Sequence, residues 1–188
     1  MIEWSVGLSL IGRKGALLTT LLAVLVLTGC STQYPNRSPV GEVFPSVSGQ
    51  SLEQHTMNIP EDIAGAPAVL LVGYKQDSQF DIDRWLIGLD MTNTRVAVYE
   101  LPTIPGLFPR MFSTVINEGM RAGIPKELWK GVVTVYAGGE AVQVFTGNEN
   151  PNNARALLID AKGQVVFFDD RGFSVAALNA MRDTLAAL

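Results

Sequence analysis

The run Ala68-Val69-Leu70-Leu71-Val72-Gly73-Tyr74 constrains the fold of this 188-residue chain more than any other stretch. It is apolar at consecutive positions and rich enough in β-branched residues to form a strand that is hydrophobic on both faces. Such a strand must be covered on both sides, which predicts an α/β architecture with this run at the centre of the sheet.

The neighbouring segments supply the cover. Ile82, Trp85, Leu86 and Leu89 recur at helical spacing, with Asp81, Asp83 and Arg84 turned outward, and Asp77, Ser78 or Asp81 is placed to cap that helix. Arg95 to Leu101 reads as a second buried strand, ended by Pro102 and Pro105. Strand, helix and strand with short links make a βαβ unit, whose crossover is right-handed. From Leu107 to Arg121 the residues Phe108, Met111, Phe112, Val115, Ile116 and Met120 draw one apolar helical face, closed by Gly123. Pro125 to Lys130 reads as a short helical turn and Val132 to Tyr136 as a strand, while Glu140 to Thr146 fits strand or helix. Ala154 to Asp160, the turn Asp160-Ala161-Lys162-Gly163 and Gln164 to Phe168 form an antiparallel hairpin. A last helix is capped by Ser174 and presents Val175, Leu178, Met181, Leu185 and Leu188. Upstream, Gln54 to Ile59 alternates as a short edge strand stopped by Pro60.

The first 30 residues are read as targeting. Arg13 and Lys14 precede an apolar run, Ala16 to Leu27, that is shorter than the roughly 20 residues of a spanning helix. Leu27-Thr28-Gly29-Cys30 ends that run and contains the only cysteine. It resembles a bacterial lipobox, which implies cleavage before Cys30, lipid attachment to its sulfur, and a mature protein tied to the membrane. By the same resemblance Ser31, in place of aspartate, points to the periplasmic face of the outer membrane. Residues 1–29 are thus a signal peptide, 30–40 a flexible tether rich in Ser, Pro, Asn and Thr, and 41–188 a single domain.

Composition closes off several function classes. Without Glu3, Arg13 and Lys14 the mature chain has 12 basic and 17 acidic side chains, a net charge of −5, which argues against nucleic acid as a partner. Once Cys30 is lipidated no thiol remains for a disulfide, a nucleophile or a thiolate-bound metal. His55 is the only histidine, so it cannot join a second in a zinc cage, and it has no evident catalytic partner. No cofactor is expected.

The order of elements, with Leu157-Leu158-Ile159-Asp160-Ala161-Lys162-Gly163-Gln164-Val165-Val166 as the last hairpin, resembles the thioredoxin fold, in particular its peroxiredoxin and thiol-disulfide branch. The resemblance implies a central mixed sheet flanked by helices, ending in a ββα unit. It also implies redox cysteines in the loop after the central strand, where this chain reads Tyr74-Lys75-Gln76-Asp77-Ser78-Gln79-Phe80, and a cis proline where it reads Asn153-Ala154-Arg155. Both are missing, so no thiol redox or peroxidase activity is expected. A narrower resemblance, through Gln79 and Trp85, is to the assembly factor family of the mitochondrial ATP synthase, which has this fold without the dithiol. It points to a noncatalytic binding or assembly module. The alternative is a carboxylate-based or metal-dependent periplasmic enzyme using the Asp77, Asp81 and Asp169 region.

Ligands of open α/β sheets bind beyond the carboxyl ends of the strands. That places a partner protein of the envelope on Tyr74, Gln76, Asp77, Ser78, Gln79 and Phe80, joined by Asn152 and Asn153 from the other loop, with Trp129 as a candidate exposed anchor. Asp169-Asp170-Arg171 is either a small polar site with Lys75 or a turn holding its own ion pair.

Overall fold

The computed structural model describes residues 32–188, and the lipobox with Cys30 lies outside them. The strands are β1 (Val47–Ser51), β2 (Thr56–Ile59), β3 (Ala68–Gly73), β4 (Ala97–Pro102), β5 (Val133–Thr134), β6 (Arg155–Ile159) and β7 (Val165–Asp169). The helices are α1 (Gln79–Met91), α2 (Leu107–Met111), α3 (Ser113–Gly123), α4 (Gly139–Thr146) and α5 (Val175–Ala186). The main sheet has the order β4-β3-β6-β7, with β3 parallel to β4 and antiparallel to β6. A second sheet, β2-β1-β5, continues it through single bridges from Glu100 to Val132 and from Thr103 to Val135.

Every residue of β3 is buried, and its alternation feeds two cores. Val69 and Leu71 pack with Ile82, Trp85, Leu89, Leu178 and Met181 under α1 and α5. Leu70 and Val72 pack with Phe44, Ile59, Val133, Val142, Phe145 and Leu157 on the other side. Each such side chain contributes about 1.5–3 kcal/mol by leaving water, which is why this strand organises the sheet. Trp85 is fully buried and meets the rings of Phe167 and Phe173 edge-on.

The hairpin β6-β7 turns where the sequence places it: Asp160 Oδ1 accepts from the N–H of Lys162 and Gln164, and Gly163 takes φ +81°. Ser174 caps α5 by accepting from Ala177 N at 3.0 Å. The ambiguous segment Glu140 to Thr146 is helical. The cis peptide bond Ile59–Pro60 lies at the end of β2, away from Asn153-Ala154-Arg155.

Four expectations are corrected. The helix read over Leu107 to Arg121 is two helices that meet at Phe112, so one helical phase cannot run through both. Met111, Phe112 and Val115 therefore stand exposed, and the buried residue of α3 is Asn117, held by Tyr136 Oη and Gln50. On α5, Val175 and Leu188 are exposed rather than part of the buried stripe. No side chain caps α1: Ser78 turns back to donate to Lys75 O at 2.6 Å, and Asp81 is buried.

The fourth correction concerns the tether. Tyr34 to Arg37, expected to be flexible, lie against the end of α4. Tyr34 N donates to Asn148 Oδ1 and Asn148 N to Tyr34 O, while Asn36 N donates to Glu149 Oε2 and Glu149 N to Asn36 Oδ1. Gly147 permits this approach: its φ is +76°, and a Cβ there would stand 2.3 Å from Asn36 Cα. Gly147→Ala is expected to cost about 1–3 kcal/mol and to speed hydrogen exchange at Asn36 and Glu149. Unchanged exchange at both amides would refute the packing argument.

Candidate functional site

Because β3 and β4 are parallel neighbours, the loops that leave their carboxyl ends emerge on one end of the sheet. The loop from Lys75 winds through a single 3-10 turn, Gln76–Ser78, into α1. Its residues divide into two sets. Lys75, Gln76, Asp77 and Phe80 are exposed. Tyr74 and Ser78, expected to meet a partner, face inward instead. Gly73 leaves no room there, since a Cβ on it would stand 2.5 Å from Ser78 Oγ. Gln79 is half-buried and committed to Asp83 at 2.9 Å and Glu100 at 3.3 Å.

Beneath this loop lies a buried polar network that hydrophobic periodicity does not reveal. Tyr74 Oη is 2.7 Å from Thr146 Oγ1 and 3.1 Å from Val142 O. Burial pushes its pKa to about 12, so it is a neutral phenol. Arg155 opens β6 with its guanidinium 5.0 Å from the centre of the Tyr74 ring. Its Nη1 donates to Asn150 O at 2.6 Å and Asn153 O at 2.9 Å, and its Nη2 to Asn36 Oδ1 at 3.2 Å. Arg155 is fully buried, and among the described residues no carboxylate bonds to it and its Nε has no hydrogen-bond partner. Desolvation lowers its pKa. The signal available in the sequence is a charged residue at the head of an otherwise apolar strand, Ala154-Arg155-Ala156-Leu157.

Asp81 is the second member of this layer. One carboxylate oxygen accepts from Ala154 N at 2.9 Å and the other from Phe173 N at 2.6 Å. It ties α1 to the start of β6 and to the approach of α5, across 73 and 92 residues of sequence. A carboxylate used this way has no oxygen aimed at solvent chemistry.

The remaining candidates are dispersed. Asp77 is exposed, and Asp169 is engaged with Arg171 through Nη2 at 2.9 Å and Nε at 3.1 Å, a local turn that does not include Lys75. Asp77, Asp81 and Asp169 are thus not gathered, and no described group of three or more His, Cys, Asp and Glu side chains is placed to hold a metal ion. His55 is exposed in the β1-β2 turn, 3.7 Å from Glu53. Asn152 is exposed, whereas Asn153 is half-buried and donates to Asp170 O at 3.0 Å. Trp129 is half-buried, donating to Ile124 O at 2.9 Å under the Arg121 guanidinium, so it is not the free anchor it was expected to be. The large apolar groups in solvent on the elements that follow β3 and β4 are instead Phe80, Ile87, Met91, Met111, Phe112 and Val115, each more than half exposed.

No protein-family model matches the chain, and no curated protein does. Solved structures do. A thiol peroxidase from Chromobacterium violaceum superposes with a TM-score of 0.53 at 12% identity, over 85% of this chain and 94% of its own. Yeast Sco1 with copper bound gives 0.56 at 10% identity over 81% and 96%. The exposed lipoprotein thioredoxin Etrx1 of Streptococcus pneumoniae gives 0.51 at 13% over 77% and 100%. At these identities the likeness speaks for the fold and for none of those proteins' activities. With the βαβ-ββα order and the strand order β4-β3-β6-β7 already in hand, the chain has a thioredoxin-like fold, and its single cysteine, Cys30, precedes that fold in the sequence.

Proposed function

We propose that this chain is a lipoprotein of the bacterial envelope, anchored through Cys30 on the periplasmic face of the outer membrane, whose thioredoxin-like domain docks a partner protein without catalysing a reaction. One observation carries the docking role: Phe80, Met111, Phe112 and Val115 stand in solvent on the elements that follow two adjacent parallel strands. Large apolar side chains kept in water on a rigid platform suit protein recognition. The exposed loop residues Gln76 and Asp77 supply polar groups beside Phe80 in the sequence. Asp81 supports the same reading, because its carboxylate is consumed in holding the platform together.

The test combines anchoring and capture. In cells fed labelled palmitate the native chain takes up label and Cys30→Ala does not; label that survives the substitution overturns the anchor. Cross-linking in intact cells is then compared between the native chain and Phe80→Asp with Phe112→Asp. The exposed substitutions are expected to change stability by no more than about 1 kcal/mol while abolishing the cross-linked species. An undiminished species overturns the docking surface.

A further inference from the structure

A second surface, on the opposite edge of β4 from β3, has the chemistry of a small-molecule site. The segment Val132 to Val135 joins that edge only at Glu100 and Thr103. Before Glu100 the edge is flanked by the 3-10 turn Lys126–Gly131, which approaches until a Cβ on Gly131 would be 3.1 Å from Val98 O. Between that turn, β4 and α1 lies a groove of about 350 Å³ walled by Leu86, Val98 and Leu128, with Glu127 and Lys130 on its lining. Pockets of this size hold small ligands.

Glu100 also lines the groove, although it is only 7% exposed. Among the described residues its carboxylate accepts a hydrogen bond from Gln79 alone, at 3.3 Å, a long bond from a neutral amide. A carboxylate this buried is costly without a counter-charge. Among the described residues no ion pair reaches it: Asp83 on α1 repels it, and the turn that lines the groove carries one charge of each sign, Glu127 and Lys130. Burial first, and Asp83 after it, raise the Glu100 pKa. The arrangement is a groove with apolar walls into which a buried carboxyl group without an ion pair is set.

We propose that this groove binds a small ligand carrying a protonated amine on an apolar body, with the ammonium group against Glu100 and the body between Leu86, Val98 and Leu128. The site is separate from the docking end of the sheet, so it stands or falls independently of the partner protein. Binding requires the ionised carboxylate, so it strengthens as pH rises through the raised Glu100 pKa.

The probe is 2-phenylethylamine, compared with its neutral counterpart 2-phenylethanol. Amide chemical shifts of the full chain in detergent are followed during titration. Saturable shifts are expected at Val98, Leu128 and Gly131, with the amine preferred over the alcohol by at least about tenfold, as a charge-assisted hydrogen bond implies. Glu100→Gln should bring the two ligands to parity and remove the pH dependence. That variant keeps the shape and relieves a buried charge, so it is expected to fold at least as stably at neutral pH. Leu128→Arg, at an exposed rim position, provides a second variant and should abolish binding. Absence of saturable shifts, amine preference that survives Glu100→Gln, or binding that survives Leu128→Arg would each overturn the site.

Discussion

Replacing Asp81 with alanine is expected to destabilise the domain by about 3–5 kcal/mol, a large fraction of the total stability of a domain this size. The side chain is 6% exposed, and both oxygens accept short bonds from main-chain N–H groups, at 2.9 Å from Ala154 and 2.6 Å from Phe173. Hydrogen bonds to a charged acceptor are each worth about 1.5–3 kcal/mol, and the alanine variant strands the buried N–H of Ala154 and the part-buried N–H of Phe173. Asp81→Asn restores one acceptor and turns an amide N–H towards the other donor, so it should lie nearer the alanine variant than the native chain. Urea unfolding followed by far-UV circular dichroism measures both. A loss below about 1 kcal/mol for Asp81→Ala would show that the clamp is not what joins α1 to the hairpin.

The central strand, the βαβ unit, the final hairpin and the Ser174 cap were legible because each rests on a local rule: an apolar run, a helical period, an Asx-type turn, a hydroxyl cap. What escaped lacks a local signal. Strand β1 reads Val-Ser-Gly-Gln-Ser and buries Val47, Gly49 and Ser51, so its inward face is nearly free of hydrophobic side chains. Its buried glycine is set by a distant neighbour, since a Cβ on Gly49 would stand 2.6 Å from Val133 Cγ1. Met111, Phe112 and Val115 fit a continuous apolar period, and only the break at Phe112 takes them out of the core.

The site shows the same division more sharply. Polarity in the sequence marked Asp81 as a solvated residue of the helix start, and tertiary structure makes it a buried clamp. Tyr74 and Ser78 border by sequence on an exposed loop, yet both are buried, Ser78 packing against Gly73 at the end of β3. Polar residues reveal their roles only when the groups that satisfy them are known, and for Tyr74 and Asp81 those groups are 68 to 92 residues away. The absence of a thiol after β3, by contrast, needed no structure to be read.

Arg155→Ala is expected to be comparably damaging, at about 3–5 kcal/mol, and to act at a distance. Removing the guanidinium opens a cavity beside Tyr74 and deprives Asn150 O, Asn153 O and Asn36 Oδ1 of a shared donor. Arg155→Met separates the two effects. It fills most of the volume and removes a buried charge that is itself costly, but it cannot donate to the three oxygens. Its loss should therefore be smaller, about 1–3 kcal/mol, while the effect on Asn36 stays as large as in the alanine variant. The segment Tyr34 to Arg37 would then keep its bonds to α4 and residues 147–149 and lose its tie to β6. Hydrogen exchange at Asn36 should rise in both variants, even though only one of them has lost core volume. If Arg155→Met proved at least as stable as the native chain and left Asn36 protected, the guanidinium would not be a structural tie between the N-terminal segment and the sheet.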